Sequence, residues 1–72
     1  MNVTPIHGLK LLDVREVTAR TKLSRAQIYR KMADGTFPRH RKLSAQRSVW
    51  AEHEVDGWIR EFLEATKQAE HA

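Results

Sequence analysis

Between Leu23 and Pro38 the chain reads LSRAQIYRKMADGTFP, a short helix with a start and a stop written into it. Ser24 is a good N-cap, because its hydroxyl can accept from an unpaired first-turn amide. Gln27, three residues on, can reach back to the Ser24 amide and complete a capping box, with Leu23 and Ile28 as the hydrophobic staple. Gly35 can take the left-handed conformation that closes a helix, and Pro38 forbids a restart. Ile28 and Met32, four apart, share the face that must point into a core. That leaves Arg25, Gln27, Tyr29 and Arg30 outside, side chains suited to phosphates and base edges. The stretch 24–34 therefore has the chemistry of a DNA-recognition helix.

The same grammar stands just upstream. Asp13 and Glu16 form a second capping box, Leu12 and Val17 a second staple, and Val14, Val17, Thr18 and Thr21 a helical stripe. A helix is predicted from about Val14 to about Thr21. Only Lys22 and Leu23 separate it from the next cap, so the two helices must turn sharply, as in a helix-turn-helix. Lys10 to Leu12 is a short apolar stretch that suits a brief strand.

After Phe37-Pro38 the pattern shortens. Arg39 to Leu43, then Ser44-Ala45-Gln46, then Arg47 to Trp50 reads as two strands around a polar turn, with Leu43, Val49 and Trp50 as apolar anchors. Arg39, Arg41, Lys42 and Arg47 would line the edge and tip of this ribbon, which has the form of a wing lying on the phosphate backbone or in the minor groove. The turn has no glycine to fix its register. The last element is a helix in which Val55, Trp58, Ile59, Phe62, Leu63 and Thr66 form a broad stripe facing the core. Trp58 is expected at the centre, packed by Val17, Ile28 and Trp50. Glu52, Glu54 and Asp56 open this helix, where carboxylates suit the dipole, and its outer face is acidic. Gly57 inside it is expected where another element packs closely.

Charge follows the same division. Residues 1–48 hold eleven Lys/Arg against three Asp/Glu, a balance of +8, and residues 49–72 hold two against six, a balance of −4. A basic front and an acidic back suit a polyanion on one side only. The chain is 72 residues without cysteine, which suits one domain without disulfides. MNVTPIHG contains no apolar run for a signal peptide or membrane span, so a cytoplasmic protein is expected. His7, His40, His53 and His71 are scattered, and no nucleophile elbow or phosphate-cradling loop is present. Asp13, Glu16 and Asp34 are explained as caps. Neither an enzyme nor a metal, cofactor or small-molecule site is expected.

The run LLDVREVTARTKLSRAQIYRKMADGTFPRHRKLS, followed by RSVWAEHEVDGWI, resembles the AlpA family of small prophage-encoded regulators, which are related to phage excisionases and the MerR-type winged helix. The resemblance covers about Leu11 to Leu63. Its most specific pieces are LSRAQIYR, DGTFP and EVDGWI, in the expected order and spacing. It implies a winged-helix DNA binder that activates an integrase or excision gene, or acts as a recombination directionality factor. Ser24 to Arg30 would then open the recognition helix, and Trp58 and Ile59 would be core residues of the last helix. There are two departures. Lys22 stands where the family usually has glycine, so it is expected to carry a left-handed backbone. The wing lacks the family's common glycine, and Arg47 is shifted by one.

The expected fold is mostly α with a small β-hairpin: a winged helix-turn-helix of short strand, two-helix unit, two-stranded wing and C-terminal packing helix. Residues 1–9 would be an arm, 10–66 the domain and 67–72 a frayed tail. The expected DNA-binding residues are Arg25, Gln27, Tyr29, Arg30, Lys31, Arg39, Arg41, Lys42 and Arg47. The expected partner is double-stranded DNA, with an integrase or further copies of the chain beside it. The alternative is a protein-interaction module whose basic face meets an acidic partner.

Overall fold

The computed structural model describes residues 9–67; most of the expected arm, and the tail beyond Lys67, lie outside them. The elements run β1 Leu11–Leu12, α1 Val14–Thr21, α2 Arg25–Asp34, β2 Arg41–Ser44, β3 Arg47–Ala51 and α3 Glu52–Lys67. The three strands form an antiparallel sheet in the order β1-β3-β2. This is a winged helix-turn-helix, with β2 and β3 as the wing.

Both capping boxes form. Asp13 Oδ1 accepts from the Glu16 amide, and Glu16 Oε1 accepts from the Asp13 amide, each at 2.8 Å. Ser24 Oγ accepts from the Gln27 amide at 3.1 Å, and Gln27 Oε1 accepts from the Ser24 amide at 2.9 Å. Lys22 ends α1 with φ 66°, the left-handed backbone expected of it, and its amide donates to the Thr18 carbonyl at 2.8 Å. Gly35 ends α2 with φ 79°; its amide donates to Met32 at 3.1 Å and the Thr36 amide to Lys31 at 2.8 Å. That pairing is a Schellman motif.

Trp50, Leu12, Val17, Ile28 and Val55 are almost wholly buried, and Met32 and Phe37 complete the core. Trp50 lies directly opposite Leu12 in the ladder, and opposed residues share a face. Its indole Nε1 donates to the Pro38 carbonyl at 3.0 Å, so its buried polar group is satisfied.

Four expectations are corrected. Trp50, not Trp58, is the centre. It stands on β3, the middle strand, while Trp58 is only half-buried and packs at the margin of the cluster. Trp58 meets Phe37 edge-on at 5.1 Å, stacks on Phe62 at 5.6 Å, and donates through Nε1 to the Thr36 carbonyl at 2.8 Å. The α3 stripe is also narrower than its periodicity implies. Val55 is buried and Trp58 and Ile59 partly so, but Phe62 and Leu63 are exposed, because a 16-residue helix outruns so small a core. Leu43 is no anchor, being 57% exposed. The register moves from Lys42↔Ser48 to Ser44↔Arg47, so Leu43 is the extra residue of a bulge on the edge strand. Gly57 answers to no close approach: a Cβ there would meet nothing within 4 Å.

Candidate nucleic-acid interface

The capping box of Ser24 fixes where α2 begins, and the left-handed turn at Lys22 sets its angle to α1. Together they decide which α2 side chains face outward. Arg25, the first helical residue, and Arg30 are exposed. Measured from the buried Ile28, Arg30 lies about 200° around the helix axis, at 100° per residue. Gln27 is exposed, but its Oε1 is held by the cap. Lys31 is half-buried on the last turn. Tyr29 is 39% exposed at the border of the helix face, where its ring stands edge-on to His40 at 5.8 Å and to Trp50 at 6.2 Å. His40, itself 5.5 Å from Trp50 between ring centroids, thus joins α2 to the base of the wing. Its place there was not evident from the sequence.

The wing residues divide. Arg39 is exposed before β2, and Arg47 is exposed at the first position of β3. Lys42 Nζ donates to the Ala45 carbonyl at 3.4 Å, beside the tip. Arg41 is bound differently: its Nη1 and Nη2 meet the two oxygens of Glu54 at 3.0 and 3.2 Å. Bidentate pairing of this kind positions both partners, here fastening the edge strand to α3.

Arg20 makes the second fastening. Its Nη1 lies 2.9 Å from Glu52 Oε2 and 3.0 Å from Asp56 Oδ1, tying α1 to α3. Donating to the carboxylates of Asp56 and Glu52 raises the guanidinium pKa above its ordinary value, so its charge is held more firmly. Three of the α3 carboxylates are therefore spent on internal pairs, while Glu61 and Glu64 remain exposed on the helix. Among the described residues, Arg25, Arg30, Lys31, Arg39, Lys42 and Arg47 have no carboxylate within salt-bridge distance.

The structure brings Arg25, Tyr29 and Arg47 together around one cleft and adds Arg15 of α1, which the sequence alone does not single out. Arg39 and Arg41 border a different groove, beside Trp58 and Phe62 of α3. Among the described residues no cluster of His, Asp or Glu could hold a metal ion, and no helix is long and apolar enough to cross a membrane.

The sequence profile of the family described as "Prophage CP4-57 regulatory protein (AlpA)" matches residues 10–63. That span contains every element from β1 through the third turn of α3. No curated protein and no solved structure matches the chain.

Proposed function

Because this chain belongs to the AlpA family of prophage regulatory proteins, we propose that it is a sequence-specific double-stranded DNA-binding protein, acting as transcriptional regulator, excisionase, or both. In this reading α2 enters the major groove and the wing lies on the backbone or in the minor groove. The observation that carries it is the division of the cations. Arg20 and Arg41 are neutralised by carboxylates of α3, whereas those of α2, together with Arg39, Lys42 and Arg47, have no carboxylate partner among the described residues. Cations left without carboxylate partners on α2 and the hairpin favour a polyanion there.

Within that surface the residues take different parts. Arg30, turned squarely away from the core, is the base reader, with guanine the natural target of a bidentate guanidinium. Arg25 stands at the N-terminal end of α2, the end that helix-turn-helix proteins point at the duplex. Lys31, Arg39, Lys42 and Arg47 neutralise phosphates, and Tyr29 adds a hydroxyl at the border. Arg41 contributes less, since Glu54 already holds it. A domain this small buries little DNA surface, so further copies or an integrase would complete its specificity.

Footprinting over the DNA around the gene and any neighbouring attachment site tests the proposal. Tandem protected sites inside an attachment region support excisionase action, and one site over a promoter supports regulation. Absence of any protected sequence, with tight binding to an acidic protein instead, would replace this reading with the interaction-module one.

A further inference from the structure

Two helices of this domain begin with a cation where a cation is least suited. Arg15 is the second residue of α1 and Arg25 the first of α2. At these positions the helix dipole favours negative charge. Neither guanidinium has a carboxylate within salt-bridge distance among the described residues, although Arg20 and Arg41 nearby do. Both helix starts border the same cleft, of about 510 Å³, and the third wall is the hairpin, where Arg47 follows the turn. Three arginines from three elements thus surround one space, against a single carboxylate, Asp13, whose Oδ1 is already engaged by the Glu16 amide. Ser48 and Tyr29 add hydroxyls to the lining, and the Tyr29 ring is braced by His40 and Trp50.

Such a space is electrostatically incomplete. Arginines placed at two helix N-termini, and left unpaired, repel one another and oppose both dipoles; an anion between them relieves all of this at once. The fork of a guanidinium matches two phosphate oxygens. We propose that this cleft holds one phosphodiester group of the DNA backbone, gripped jointly by Arg15, Arg25 and Arg47. The inference rests on the DNA-binding reading and deepens it. It adds Arg15 to the interface, makes Arg25 a phosphate ligand, and leaves base reading to Arg30. The wing also gains a second role, since it carries Arg47 back against the helix-turn-helix and both parts close on the same phosphate.

The test is salt-dependent binding to a 24-base-pair duplex of arbitrary sequence, where base reading contributes nothing. Each neutralised phosphate adds about 0.9 to the magnitude of the log–log salt slope. Because the three arginines share one phosphate, Arg15→Gln/Arg25→Gln/Arg47→Gln reduces that magnitude by about 0.9 in total. Arg39→Gln, outside the cleft, subtracts its own ~0.9 from either background. A fall of about 2.7 for the triple variant would mean three separate phosphates and overturn the shared site. Unchanged slope and affinity in the triple variant, with binding still weakened by Arg39→Gln, would overturn the cleft while sparing the DNA-binding reading. Failure of the wild-type chain to bind duplex DNA at low salt would remove both. All three positions are exposed, and circular dichroism checks that the fold survives. If the triple variant does not fold, Arg15→Gln alone carries the test: it weakens duplex binding about tenfold, and unchanged binding overturns the proposal.

Discussion

Two glycines of this chain respond differently to the same substitution, and the structure gives the size of the difference. Gly57 lies inside α3, and a Cβ built there meets nothing within 4 Å. Alanine therefore adds no clash, while helix propensity favours it over glycine by about 1 kcal/mol. Gly35 has open space as well, but its φ of 79° closes the Schellman motif of α2. An L residue held in that region costs about 1–2 kcal/mol. The loss of unfolded-state freedom is the same for both substitutions, so it cancels when the two are compared. Gly57→Ala should raise stability by about 1 kcal/mol, or about 4–8 °C in Tm for a domain of this size. Gly35→Ala gains the same freedom term but meets the strain, so it should not stabilise, leaving the two variants about 1–2 kcal/mol apart. Thermal unfolding followed by circular dichroism at 222 nm reads both directly. A Gly57→Ala protein that melts at or below the wild-type temperature would refute the argument from open space and propensity.

The two tryptophans should also separate. Trp50→Ala removes the buried centre and strands the Pro38 carbonyl, at a cost of about 3–5 kcal/mol. Total stability for a chain this size is on the order of 4–11 kcal/mol, so near-UV circular dichroism should show lost packing. Trp58→Ala should still unfold cooperatively, and the reverse order would restore Trp58 to the centre. Arg20→Gln breaks both pairs to α3, but these are partly exposed, at 34% for Arg20 against 20% and 42% for its partners. The expected loss is about 0.5–1 kcal/mol, and it should shrink in 1 M salt, where the Debye length is about 3 Å; a loss independent of salt in chemical denaturation would contradict this. On the DNA side, Arg30→Ala should weaken the cognate site by about 1–3 kcal/mol and relax preference at one base position. Lys42→Ala should weaken cognate and random duplexes alike, and equal effects of both substitutions in competition binding would reduce Arg30 to another phosphate contact.

The parts of this fold that could be read from the sequence are those decided locally. Asp13 and Ser24 announce their helices because a capping box closes within four residues. Lys22 was legible as left-handed through the resemblance, since it stands where the AlpA family usually has glycine. Interactions spanning long stretches of chain left no such trace. Arg20 with Asp56 and Arg41 with Glu54 are 36 and 13 residues apart, and nothing in their neighbours distinguishes them from the unpaired arginines. Periodicity shows the inward face of α3 but not how far the core extends beneath it. On periodicity alone Trp58 looks deeper than it lies, and Phe62 and Leu63 look buried although both are exposed. Leu43 misled for another reason: one bulge residue removes a side chain from its alternation. At the candidate site, the helical face bearing Arg25 and Arg30 was legible from Ile28 and Met32 alone. Arg15 was not, since its proximity to Arg25 and Arg47 exists only once the helices and the hairpin have packed. A first-turn arginine, set against the dipole, was the one available signal.

The central claim is that the unpaired cations of α2 and the hairpin face the backbone of duplex DNA. Fluorescence anisotropy of a labelled duplex, titrated at several salt concentrations, tests it most directly. Lys31, Arg39, Lys42 and the cleft together neutralise about four phosphates, which predicts a log–log slope of about −3.6. Duplex binding that is nearly independent of salt would contradict the claim and turn the basic face toward an acidic protein instead.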